Sequence, residues 1–203
     1  MVLINIGVHK LESYKNSKGI FENSYFIHRS YLNYVIFAPQ STEIFYDYFA
    51  SKGGVGKQIF TDASQINHAP GKIFNKFGAS VLLTNPKKMP PNAAYKLEYF
   101  GEDFVDKDIC YPWDRPDEMH WFFIHQRGKK FLVTDENLIV DNGEWLPNPD
   151  KSYSESKIKH IKDILEIDFD YLLPRLHKGE FYLQSTPKEV VKEKVDNFIG
   201  SIK

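Results

Sequence analysis

Apolar and polar positions alternate through the opening forty residues in three runs, "VLINIGV", "SYFIHR" and "NYVIFAP", separated by polar turns. A period of two buries one face of a strand, and short turns join neighbouring strands, so these runs predict an antiparallel sheet. The period then changes. Ile44, Phe45, Tyr48 and Phe49 fall on one face at helical spacing and predict a helix over 42–52. "KQIFT" is short and apolar and reads as a strand. Ile66, Ile73, Phe74 and Phe77 then share a helical face within "INHAPGKIFNKFGA", with Pro70 near its first turn and Gly78 at its end. "SVLLT" follows as a short buried strand, so this stretch holds two consecutive helix–strand units.

The middle of the chain is β again. "AYKLEYF" predicts a strand, "MHWFFIHQRGKKFLVT" a hairpin turning at Arg127-Gly128, and "NLIVDNGEW" a further stretch of sheet turning at Asp141-Asn142-Gly143. Two helices close the chain around a strand in "DFDYLLP". One starts at a Ser152-x-x-Glu155 capping box and buries Ile158, Ile161, Ile164 and Leu165. The other starts at Thr186-Pro187-x-Glu189 and buries Val190, Val191, Val195, Phe198 and Ile202. Sheet, helix–strand pairs, sheet, then helix–strand–helix is the order of a helix–sheet–sheet–helix sandwich.

Composition narrows the function. At 203 residues the chain predicts a single domain over 1–203. The 26 Lys+Arg balance 27 Asp+Glu, which speaks against a nucleic-acid or membrane-surface partner. A lone cysteine, Cys110, has no partner for an intramolecular disulfide, and no apolar run is long enough for a signal peptide or a membrane span. A cytoplasmic, soluble protein is the expectation, and the aromatic content is compatible with homodimerisation.

"KGGVGK", Lys52 to Lys57, has the look of a phosphate-binding loop and fails as one. The residue after Lys57 is Gln58, where a Ser or Thr hydroxyl would ligate magnesium, and the first glycine of the motif would fall on Ser51. The glycines also follow a helix and precede a strand, the reverse of the context in which backbone N–H groups converge on a phosphate. Gly53 and Gly54 read instead as a helix C-terminal cap and tight turn.

The chain resembles the metallo-β-lactamase fold family in four segments met in the right order. "NYVIFAPQSTEIFYDYFASKGGVGKQIFTDASQINHAPGKIFNKFGASVLLT" is similar to the family's first half. "YPWDRPDEMHWFFI" resembles its Pro-Gly-His-Thr-Pro-Gly-Ser segment, "KKFLVTDENLIV" the strand ending in Thr-Gly-Asp-x-Leu, and "DFDYLLPRLHKGE" the strand ending in Pro-Gly-His-Gly. The resemblance implies an α/β (α+β) fold, a four-layer αββα sandwich of the metallo-β-lactamase type.

The resemblance also implies where metal ligands would stand. The positions of the family's His-x-His-x-Asp-His fall on Asp62, Ser64, Ile66 and Asn67, with His68 entering only by a register shift. The second motif's His falls on Asp114, the bridging Asp on Glu136 or Asp135, and the last His on Leu176 or His177. A two-zinc centre relies on several imidazoles plus carboxylates, and this set is nearly without imidazole. The expected reading is a non-catalytic protein of the fold with no cofactor, binding a small ligand or a protein partner. The alternative is a hydrolase with one divalent metal (zinc, manganese or iron) on Asp62, Asp114, Glu136 and His177. Trp113, where the family has Gly, is a candidate cleft plug or a contact for a partner or ligand. Trp121, Phe122 and Phe123 read as sheet core, and Ser64 with His68 lacks the fixed geometry of a nucleophile–base pair.

Overall fold

The computed structural model describes residues 2–5, 7–11, 14–61, 66, 69–83, 95–99, 106–110, 121–179 and 188–201. In chain order the elements are β1 (Val2–Asn5), β2 (Val8–Lys10), β3 (Tyr14–Lys15), β4 (Phe21–Glu22), β5 (Tyr25–Ile27), β6 (Tyr34–Ile36), a 3-10 turn (Thr42–Phe45) and α1 (Tyr46–Ser51). There follow β7 (Lys57–Phe60), α2 (Ala69–Phe77), β8 (Ser80–Leu83), β9 (Leu97–Tyr99), β10 (Ile109–Cys110), β11 (Trp121–Gln126) and β12 (Lys129–Asp141). The chain closes with β13 (Glu144–Pro147), α3 (Glu155–Glu166), β14 (Tyr171–Lys178) and α4 (Lys188–Ser201).

These elements group into two compact units, one of Met1–Tyr14 with Asn23–Lys107 and one of Lys15–Glu22 with Asp108–Lys203. The first contains a sheet in the order β1-β2-β5-β6-β7-β8-β9. Its β1, β2, β5 and β6 are antiparallel, as the alternation predicts, and β6 to β9 are parallel, as consecutive helix–strand units require. "VLINIGV" is two strands, because Gly7 at φ 83 turns the chain between β1 and β2. The α helices pack through aromatic side chains: Phe49 of α1 lies 5.0 Å from Phe26 and 6.1 Å from Phe77 of α2.

The predicted helix over 42–52 opens as a 3-10 turn, and the change of pitch moves its buried face. Phe45 and Phe49 are buried while Ile44 is 62% exposed. The glycine reading holds: the Gly54 N–H donates to Phe49 O at 2.7 Å and the Gly53 N–H to Ala50 O at 3.1 Å, with both glycines at positive φ. Asn33, buried, fastens the same loop by donating to Lys52 O at 2.7 Å and Gly54 O at 2.8 Å. Helix α2 carries Pro70 in its first turn and ends at Gly78, whose N–H donates to Phe74 O at 2.7 Å.

In the second unit the sheet runs β10-β11-β12-β14-β4-β3, with β13 also paired to β12. Arg127 and Gly128, and Asn142 and Gly143, all have positive φ and make the two hairpin turns foreseen from sequence. One cluster buries Trp121, Phe123, Trp145, Ile161, Ile164 and Val195, so α3 and α4 cover a sheet face with the residues their spacing marks. Phe122 is fully buried. Two expectations need correction. The N-cap of α3 is Ser154, whose hydroxyl accepts from the Lys157 N–H at 3.2 Å, because Lys151 and Tyr153 are already held by the preceding hairpin. Val190 is 41% exposed and lies off the buried face of α4. Thr186, Pro187 and Ile202 lie outside the described residues, as do the side chains of Leu165, Val191 and Phe198.

Candidate functional site

The second unit holds the described part of the expected site, and an irregularity in one strand pair makes it. β12 and β14 run parallel in register from Phe131↔Tyr171 to Thr134↔Pro174, and resume at Ile139↔Leu176. Residues 135–138 therefore stand opposite Arg175 alone. A strand with surplus residues bends out of its ladder and aims its side chains anew. Local hydrogen bonds fix the bend: Asp135, 2% exposed, accepts from the Asn137 N–H at 2.8 Å and from Asn137 Nδ2 at 2.7 Å. Asn148 Nδ2 donates to Glu136 O at 2.8 Å, and the Tyr153 hydroxyl donates to Asn137 O at 2.8 Å and Asn148 O at 2.9 Å. Burial pushes that phenol above its ordinary range.

Glu136 is turned toward cations. Lys151 Nζ lies 2.5 Å from its Oε1 and Arg175 Nη1 3.9 Å from its Oε2, while Arg175 Nη2 lies 3.8 Å from Glu22 Oε2. Arg175 is mostly buried, with 12% of its side chain exposed, so a guanidinium sits where the strand pair opens. His177 is buried at 4% exposure, and its ring stacks on Phe21 of β4 with centroids 4.7 Å apart and planes at 14°. Leu176 packs with Ile20 and Ile139 in a small apolar cluster and serves as core.

The other expected site residues, Asp62, Ser64, Asn67, His68, Trp113 and Asp114, lie outside the described residues; Ile66 is half-buried just ahead of α2. Among the described residues no group of three His, Cys, Asp or Glu side chains is placed to hold a metal ion. Of the described members of the expected set, Glu136 has two cationic neighbours, Asp135 is bound into its own turn, and His177 stacks one ring face on Phe21. Sequence reasoning passed over Arg175. Its signal is a charged residue flanked by the apolar Leu172, Leu173, Pro174 and Leu176 in "YLLPRLHK".

Two more polar clusters lie in the first unit. Lys57 donates to Ser80 Oγ at 2.7 Å and is ion-paired with Glu98, which also pairs with Lys96 at 2.6 Å. Burial pushes the Glu98 carboxyl up, and hydrogen bonds from Lys57, Lys96 and Ser80 outweigh it and hold the group below its ordinary value. Lys57 is thus tied across β7, β8 and β9, which removes the remaining attraction of a phosphate loop. Arg29 donates to Asp106 Oδ2 at 2.8 Å, Tyr34 and Tyr31 hydrogen-bond the same carboxylate, and the guanidinium lies 4.6 Å from the Tyr31 ring centroid.

No family model matches the chain, and no curated protein matches it. Solved structures do. A metallo-β-lactamase from Hirschia baltica aligns over 91% of this chain and 96% of its own, with TM-score 0.55 and 12% identity. The metallo-β-lactamase FIM-1 from Pseudomonas aeruginosa, in its mono-zinc form, aligns over 97% of this chain and 94% of its own, with TM-score 0.60 and 10% identity. A metallo-β-lactamase from Pontibacter korlensis aligns over 96% of both chains with TM-score 0.56 and 9% identity. At such identities the likeness speaks for the fold, as the four sequence segments do, and site chemistry must be argued from the residues themselves. This mixed α/β chain therefore has the metallo-β-lactamase fold.

Proposed function

We propose that this is a non-catalytic protein of the metallo-β-lactamase fold that binds a small ligand or a protein partner. The observation that carries the reading is the engagement of Glu136 by Lys151 at 2.5 Å, with Arg175 behind it. A divalent cation at this carboxylate would compete with the Lys151 ammonium and sit near the largely buried Arg175 guanidinium, and charges of like sign repel. The single cysteine supports a reducing compartment such as the cytoplasm.

Elemental analysis of protein purified without chelator or added metal tests the reading. Metal at background level is expected. About one equivalent of zinc, manganese or iron that survives dialysis and is lost in both Asp114→Ala and Glu136→Gln would overturn it. That result would establish the carboxylate-rich mononuclear centre, in which the metal acidifies a water for hydrolysis.

A further inference from the structure

The contact between α1 and the first unit's sheet is built from aromatic rings, and two of those on the sheet side are imidazoles. His9 on β2 stands directly opposite Phe26 on β5, and His28 lies two residues beyond Phe26, diagonal to His9. Phe26 is fully buried. The His9 ring lies 6.2 Å from it and the His28 ring 6.4 Å, the latter nearly parallel at 10°. From α1, Tyr48 meets His9 edge-on at 5.6 Å and Phe26 at 5.7 Å, while Phe49 packs on Phe26 at 5.0 Å. Lys52, the residue that caps α1, holds its ammonium 5.8 Å from the Tyr48 ring centroid.

In this setting a neutral imidazole is one more ring in an apolar contact. A protonated one is a cation facing the other histidine and a lysine. From the geometry we propose that His9 is an acid-responsive switch for α1, docking the helix on the sheet when neutral and loosening it when protonated.

The charged and titratable groups that face His9 all act in one direction. Burial lowers its pKa most, then the charge of His28 just past β5, then that of Lys52 at the end of α1; the Tyr48 phenol, pushed up by its own burial, stays neutral. Because the folded chain binds a proton at His9 less readily than the unfolded chain, the contact has its full stability above the ordinary histidine value of about 6.5. That stability is lost as pH falls through this value toward the lowered one. The helix leads through Gly53 and Gly54 into β7, so loosening it slackens the connection to the strand that ends next to Thr61.

The test joins proton NMR titration of the imidazoles with amide hydrogen exchange of Tyr46–Ser51, corrected for intrinsic rates. His9 is expected to titrate below about 6.5, and Lys52→Met to move its midpoint upward. Once the pH is below the midpoint, protection of the α1 amides should fall about tenfold for each unit by which the midpoint lies under 6.5. His9→Gln should abolish that fall. A His9 midpoint at or above 6.5, or an unchanged loss of protection in His9→Gln, overturns the proposal; if that variant does not fold, the midpoint in wild type and in Lys52→Met decides alone.

Discussion

Each unit contains an arginine next to a carboxylate, and the two pairs are built in opposite ways. In the first unit Arg29 and Asp106 meet at 2.8 Å with side chains 4% and 2% exposed, and two tyrosine hydroxyls complete the carboxylate's hydrogen bonding. In the second unit Arg175 reaches Glu136 only at 3.9 Å, and Glu136 is 40% exposed and shared with Lys151. A buried, hydrogen-bonded pair is a structural commitment, because removing one partner strands a charge away from water. A half-exposed, long pair is screened and worth little, so its members are free to trade partners. The first arrangement holds the fold. The second lies where the strand register breaks.

Three substitutions press on this comparison. Asp106→Ala should be the most damaging, lowering the urea-unfolding free energy by roughly 3–5 kcal/mol, and the loss should persist at high salt because the pair is shielded from ions. A loss no larger than that of a surface ion pair would erase the difference between the two arginines. Ser154→Ala, which removes the cap of α3, should lower stability by about 1 kcal/mol in the same assay. A neutral hydroxyl at a helix start would then outweigh the ion pair beside it. Lys151→Met should have the smallest effect, between about 0 and 1 kcal/mol, and vanish toward 1 M salt. A salt-insensitive loss of several kcal/mol would show that Glu136 is held as firmly as Asp106.

Elements governed by local chemistry were legible in the sequence. The turns at Arg127-Gly128 and Asn142-Gly143, the Gly53-Gly54 cap, Pro70 and Gly78 at the ends of α2, and the buried Ile161 and Ile164 of α3 follow from backbone conformation and period. The sequence pattern points to Ser152 as the cap in place of Ser154 because two serines two residues apart offer the same side chain, and only the hairpin's hold on Lys151 and Tyr153 selects between them. The break in register at Arg175 was not legible, since it depends on which strand lies beside β12 and how four of its residues are accommodated against one.

What the sequence by itself determined is the order and type of most elements and, through four ordered segments, the fold. What only the tertiary structure decided is the partnership of groups remote in the chain: the ion pairs of Arg29 with Asp106, Lys57 with Glu98 and Arg175 with Glu22 and Glu136, and the stack of His177 on Phe21. The reason is physical. Period and turn chemistry act within a few residues, whereas the state of a buried charge is fixed by whatever the folded chain brings within a few ångströms of it.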